Sequence, residues 1–165
     1  NWKRADICWQ KTPKDLSTID IGSGLGEFIN LFAINNEGTP IASVDTRDWD
    51  KYFDHTGRIQ RIYKNIFDLG DEEVTDVVTC FEVIEHLPPE RVAEAVSILR
   101  KLARKKLFIS VPFLEPLPLY KGHFTRFTET NLLELMPDAQ FTVFAKSTTN
   151  KQKVHAWILA EIDVK

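Results

Sequence analysis

Cysteine is scarce in this 165-residue chain: Cys8 and Cys80 stand alone, with no CxxC pair and no zinc-type spacing. A disulfide framework and a cysteine-built metal centre are thereby excluded, and both thiols read as reduced in a cytoplasmic-type compartment. No apolar run reaches the roughly eighteen residues of a membrane span, and no leader pattern opens the chain. The protein therefore reads as soluble, with no membrane partner. An excess of positive charge is also missing, since 21 Lys and Arg face 24 Asp and Glu for a formal net charge of −3 and a pI near 5.8. That balance supplies no global field for holding nucleic acid. The basic stretch Arg100-Lys101-Leu102-Ala103-Arg104-Lys105-Lys106 is local and reads as a solvated helix end, where cations suit the dipole. Internal repeats and low-complexity segments are absent. An initiating methionine is absent too, and a chain that opens on Asn1 reads as a trimmed product with sequence upstream.

What is present is enough for one core. A hydrophobic content of 43% over this length fits a single domain, residues 1–165, that buries about two-thirds of its unfolded surface. Nothing in the sequence specifies an oligomeric state.

Glycine is sparse, yet three of the seven glycines fall two apart in Asp20-Ile21-Gly22-Ser23-Gly24-Leu25-Gly26-Glu27-Phe28. The run before them, Leu16 to Ile21, reads as a buried strand, and Phe28-Ile29-Asn30-Leu31-Phe32 reads as an apolar helix. The glycines thus occupy a strand-to-helix turn, where bare backbone and unpaired N–H groups can meet a ligand. A dinucleotide fingerprint would need a third glycine at Glu27, so the spacing departs from it. The carboxylates of Asp20 and Glu27 would repel a diphosphate and suit a ligand bearing an ammonium and a sulfonium.

Strands alternate with helices along the rest of the chain, which predicts an α/β fold with a mostly parallel sheet covered on both faces. Predicted strands are Thr18 to Ile21, Ile41 to Asp45, Ile59 to Tyr63, Val74 to Cys80, Lys106 to Val111, Phe141 to Lys146 and Val154 to Ile162. The last two are too close for a parallel crossover and should pair as an antiparallel hairpin. A helix begins at Pro89-Glu90, with Val92, Ala95, Val96, Leu99, Leu102 and Ala103 on its buried side. Another runs from an N-cap at Thr128 to Met136 and stops before Pro137.

In such a sheet, ligands gather at the carboxyl ends of the strands near the switch point. Asp45 ends the second strand about 20 residues beyond the glycine turn, where a carboxylate can accept from both hydroxyls of a ribose. The alternative for Asp45 is a cap on the turn into Thr46-Arg47-Asp48.

The D-x-G-x-G-x-G-x-F order resembles motif I of the class I S-adenosylmethionine-dependent methyltransferases. Thr79-Cys80-Phe81-Glu82-Val83-Ile84-Glu85-His86-Leu87-Pro88-Pro89 resembles motif II of many small-molecule methyltransferases, so the likeness extends from about Leu16 to the C-terminus. The resemblance implies a seven-stranded Rossmann-like fold of order 3-2-1-4-5-7-6 with an antiparallel last strand. It implies S-adenosylmethionine as cofactor, S-adenosylhomocysteine as product, and in-line methyl transfer to a small-molecule substrate. By the same resemblance, Gly22, Gly24 and Gly26 form the cradle, Asp20 supports the amino end, and Asp45 takes the ribose. Asn65 and Ile66 then bind adenine, with Asp68 competing for Asn65, whose other role is that of a turn former. Cys80 and Phe81 border the methionine part.

Glu82, Glu85 and His86 fall at helical spacing, and His123 in Gly122-His123-Phe124 follows the fifth strand through a proline-rich loop. Three roles compete for this cluster. His86 and His123 can act on the acceptor side as catalytic groups, one glutamate fixing a tautomer. Alternatively, Glu82, Glu85, His86 and His123 hold a divalent metal, a pattern that resembles the small-RNA 3′-terminal 2′-O-methyltransferases. RNA would then be the substrate, which the acidic balance disfavours. The third role is structural, His86 capping a turn and the glutamates solvated, and it suits a non-catalytic cofactor-binding or interaction module. Within the loop Pro112 to Gly122, Phe113, Leu114, Leu117, Leu119 and Tyr120 can line an acceptor pocket, contact a partner or cover the core.

Overall fold

The computed structural model describes residues 2–36, 38–48, 57–146 and 155–164. Their order is α1 (Trp2–Lys11), β1 (Thr18–Ile21), α2 (Glu27–Asn35), β2 (Ile41–Asp45), β3 (Ile59–Tyr63), β4 (Thr75–Phe81), α3 (Pro89–Leu102), β5 (Ala103–Phe113), α4 (Glu129–Leu135), β6 (Gln140–Lys146) and β7 (His155–Asp163). The strands form one sheet in the order β3-β2-β1-β4-β5-β7-β6. Neighbours from β3 to β5 run parallel, whereas β7 lies antiparallel to both β5 and β6. This is the predicted seven-stranded methyltransferase topology. Of the predicted last strand, Val154 lies outside the described residues.

Alternation within the strands divides the core between two faces. Val77 of β4, Phe108 of β5 and Leu159 of β7 meet Phe28, Ile29 and Phe32 of α2 and Cys8 of α1. Their neighbours Val78, Leu107, Ile109 and Ile158 meet Val92, Ala95, Val96 and Leu99 of α3. Side chains of adjacent strand residues point to opposite faces, so continuous apolar runs supply both layers.

One element was missed and two expectations need correction. The helix α1 was not read from the sequence at all. Ala103 is not on the buried side of α3: its N–H closes the last helical turn onto the Leu99 carbonyl, and the residue then opens β5. The basic run is consequently split, with Arg100 and Lys101 in the last turn of α3 and Arg104 to Lys106 in a strand. Much of its charge is locally matched, Arg100 by Asp138, Lys105 by Asp76, and Lys106 by Glu161 and Asp163.

At the other end of the sheet, α4 has the predicted cap. Thr128 Oγ1 accepts from the Asn131 N–H, and Asn131 Oδ1 accepts in return from the Thr128 N–H at 2.7 Å. Between β3 and β4 the chain uses only 3-10 turns at Ile66–Asp68 and Asp71–Glu73. Among the described residues, no helix is long and apolar enough to cross a membrane.

Candidate functional site

A cleft of about 530 Å³ opens where β1, β2 and β4 end, walled by Ile21, Gly22, Val44, Asp45, Asn65, Ile66, Glu82, Val83, His86 and Phe124 among others. Its volume is that of a pocket for a cofactor-sized ligand.

The floor is made by the glycine turn. Gly22 has φ +71°, and a Cβ built there would stand 2.3 Å from Val83 Cγ2, so only bare backbone fits beneath the turn after β4. Gly24 and Gly26 also have positive φ. The Gly24 N–H donates to Asp45 Oδ2 at 2.9 Å, and the Arg47 N–H donates to Asp45 Oδ1 at 2.9 Å. Asp45 thus caps its own turn, as the alternative held, and also lines the cleft. Each carboxylate oxygen retains lone-pair capacity for a further donor.

Other predicted residues stand farther back. Asp20 is 4% exposed and outside the lining residues, its Oδ1 accepting from Thr79 Oγ1 at 2.7 Å. Cys80 is fully buried in the core, and burial, followed by the charges of Asp20 and Glu85, pushes its thiol well up. Phe81 packs edge-on against Phe28 at 5.0 Å between ring centroids. Neither Cys80 nor Phe81 is among the residues lining the cleft. Asn65 and Ile66 do line it, with Asn65 Oδ1 accepting from the Phe67 N–H at 3.1 Å as the cap of a 3-10 turn. Asp68 is exposed and outside the lining.

The segment after β4 departs from the expected helical face. Glu82 turns through φ +58°, its N–H donating to the Ser110 carbonyl and its Oε1 accepting from Ser110 Oγ at 3.0 Å. Only Ile84–His86 forms a 3-10 turn. Glu82 is therefore directed toward β5, and among the described residues the cluster with ligand atoms within 4.8 Å of one another comprises Glu85, His86 and His123. Glu85 is 1% exposed, and its carbonyl accepts from the Phe124 and Thr125 N–H groups. The His86 and His123 rings meet edge-on at 4.8 Å between centroids. His86 Nδ1 lies 2.8 Å from the Gly122 carbonyl oxygen, and His123 Nδ1 lies 2.7 Å from Glu115 Oε2. His86 lines the cleft, whereas His123 stands behind it.

Glu115 was missed in the sequence. Its signal was present, because it is the one charged residue in the apolar and proline-rich stretch from Val111 to Tyr120. Val83 was missed as well, being an ordinary apolar residue until the fold sets it under Gly22.

The described geometry has a counterpart among known proteins. A family model described as a methyltransferase domain matches residues 5–146. The chain belongs to the methyltransferase domain family. Its fold is that of class I, whose methyl donor is S-adenosylmethionine. Magnesium protoporphyrin IX methyltransferase from Synechocystis PCC 6803, solved with bound S-adenosylhomocysteine, is 16% identical, with a TM-score of 0.75 over 99% of this chain and 83% of that one. The 1,6-didemethyltoxoflavin-N1-methyltransferase of Burkholderia thailandensis, solved with its substrate and S-adenosylhomocysteine, is 14% identical, with a TM-score of 0.72 over 99% and 77%. The methyltransferase domain of bacterial CtHen1-CN is 16% identical, with a TM-score of 0.70 over 99% and 100%. No curated protein matches this methyltransferase chain by sequence.

The residues present fit an S-adenosyl cofactor. The cradle is glycine where a side chain would collide, and a carboxylate ends the adjacent strand. Asp20 and Glu27 flank the turn in the sequence, although neither is among the residues lining the cleft.

Proposed function

We propose that residues 1–165 work as one methyltransferase domain that moves a methyl group from S-adenosylmethionine to a small-molecule acceptor. The observation that carries this is the joining of Gly22, Asp45 and Ile66 to His86 and Phe124 in one cleft. Cofactor groups occupy one side of it, and the acceptor enters on the other.

When bound, the cofactor supplies a methyl group on a positively charged sulfur that leaves readily. The chain's own part is to hold and orient. Gly22, Gly24 and Gly26 present main chain, and Asp45 accepts from the ribose. Ile66 packs on the base while Asn65 meets its edge. Asp20, Cys80 and Phe81 shape the wall from behind, with Asp20 adding negative charge under the amino end. Holding two reactants in near-attack geometry can supply about 7–11 kcal/mol of the barrier. His86 presents an imidazole to the acceptor, backed by His123. Exposed Leu117, Tyr120 and Phe124 on the loop after β5 favour an acceptor with an apolar face. The neighbours that act on a porphyrin and on a toxoflavin precursor support a small-molecule acceptor.

Calorimetry with S-adenosylhomocysteine tests the cofactor site: saturable binding is expected, and its absence in folded protein removes the proposal. Incubation with labelled donor and a metabolite pool then tests transfer. Tight binding without any transfer would leave the non-catalytic module instead.

A second reading is favoured by one observation, the convergence of Glu85, His86 and His123 ligand atoms within 4.8 Å. Carboxylate oxygen with two imidazoles suits a divalent cation, which could hold the terminal ribose hydroxyls of an RNA. Glu82 drops out of that shell. The net charge of −3 and the matched basic run weigh against an RNA partner. Turnover that ignores a chelator would eliminate this second reading.

A further inference from the structure

We propose that Glu115 is a positioning residue that keeps the proton of neutral His123 on Nδ1 and so leaves the ring's lone pair on Nε2. The inference rests on the reading of this cluster as the acceptor side of a methyl-transfer cleft, and it assigns a role to a residue outside that reading.

A glutamate that is 4% exposed needs partners for its oxygens, because burying an unmatched carboxylate is costly. Both oxygens of Glu115 have one. Oε1 accepts from the Tyr120 N–H at 2.6 Å, and Oε2 lies 2.7 Å from His123 Nδ1. Arg126 Nε pins the same residue by donating to its carbonyl at 2.8 Å. The carboxylate is thereby held in one plane and one place.

Chemistry then dictates the tautomer. An ionised carboxylate only accepts, so His123 Nδ1 must carry the hydrogen, and the neutral ring keeps its lone pair on Nε2. His86 obeys the same logic with a different partner, since the Gly122 carbonyl 2.8 Å from its Nδ1 is also an acceptor only. Two imidazoles with their rings 4.8 Å apart are therefore set to offer the same kind of nitrogen. A lone pair at Nε2 is what a proton acceptor or a cation ligand needs, and Glu115 maintains it from outside the cleft.

The Tyr120 contact makes this testable with one near-isosteric change. In Glu115→Gln the Tyr120 N–H still requires the oxygen, so the amide NH2 must face His123 Nδ1. That contact demands a lone pair on Nδ1, and the hydrogen moves to Nε2. Nitrogen NMR of histidine-labelled protein at mildly alkaline pH, with His123 assigned by its loss in His123→Asn, reads this directly. Wild-type protein should show a pyrrole-type Nδ1 and a pyridine-type Nε2, and Glu115→Gln should exchange the two. A pyridine-type Nδ1 in wild-type protein would overturn the inference, as would an unchanged pattern in folded Glu115→Gln. The wild-type spectrum decides the matter even where the variant does not fold. Glu115→Gln should keep S-adenosylhomocysteine affinity within about twofold while methyl transfer slows at an unchanged donor KM. Failure of wild-type protein to bind S-adenosylhomocysteine would instead strike the methyl-transfer reading and leave the tautomer assignment standing.

Discussion

The Asp45 carboxylate and the Gly24 N–H are joined by a 2.9 Å hydrogen bond that ties the end of β2 to the glycine turn after β1. One side chain therefore shapes the cradle and lines the cleft in which we propose the cofactor's ribose binds. Asp45→Asn keeps an amide oxygen for one backbone donor but loses the charge. S-adenosylhomocysteine should bind it at least about tenfold more weakly by calorimetry, the scale of one hydrogen bond to a charged group. Asp45→Ala should weaken binding further and also lower the melting temperature, since the Gly24 and Arg47 N–H groups both lose their acceptor.

Gly22→Ala carries two separable penalties. The new Cβ would meet Val83 Cγ2 at 2.3 Å, and the backbone would remain at φ +71°. Left-handed conformation costs a non-glycine residue about 1–2 kcal/mol. Denaturant titration should show a loss beyond that amount in Gly22→Ala. Combining it with Val83→Ala should recover the steric share and leave the conformational share.

Cys8 and Cys80 are both fully buried, and the Cys80 thiol is pushed up by burial and then by neighbouring negative charge. Only a thiolate attacks disulfide reagents. Native protein should therefore be inert to such a reagent at neutral pH, and both thiols should react once denaturant is added. Rapid labelling of folded protein would contradict the packing of α1 and β4.

Stability should fall in acid partly through Glu73. Burial opposes its charge, but hydrogen bonds from Lys64 and the Gly70 N–H overcome this and hold the carboxyl below its ordinary value. A carboxyl lowered in the folded state contributes stability that is fully present above its unfolded value. That contribution is lost as pH falls through the folded value. Glu73→Gln should destabilise the protein by about 1 kcal/mol at neutral pH and flatten part of the acid slope in urea titrations.

Elements with strong local signals were legible from sequence. The glycine turn announces itself because only glycine tolerates that backbone beside Val83. The short spacing between β6 and β7 admits a hairpin and no crossover, which is how they pair. The α4 cap needed only Thr128 and the residues just after it. What was not legible depends on contacts distant in sequence or on weak patterns. α1 lies ahead of the motifs that drew the reading, and Cys8 acquires its buried place only against α2. Glu82 leaves the expected helical face because Ser110, on another strand, provides partners for both its backbone and its side chain. Nothing around Glu115 in the sequence pairs it with His123; the loop must first fold back on itself. Asp20 and Cys80 sit in the right motifs, yet both are buried within the sheet, Asp20 against the Thr79 hydroxyl and Cys80 in the apolar core.

The bonds that bridge β4 and the loop after β5 bear on how a bulky acceptor enters. Gly122 grips His86 by its carbonyl, and the Glu85 carbonyl holds the Phe124 and Thr125 N–H groups. These two stretches of chain are hitched together across the doorway. With the bond from Thr125 Oγ1 to the Leu87 carbonyl, widening the entrance by swinging one without the other would sever four hydrogen bonds and release the ring of His86. A guest is therefore received by a frame in which the bearing of one imidazole depends on both stretches staying joined.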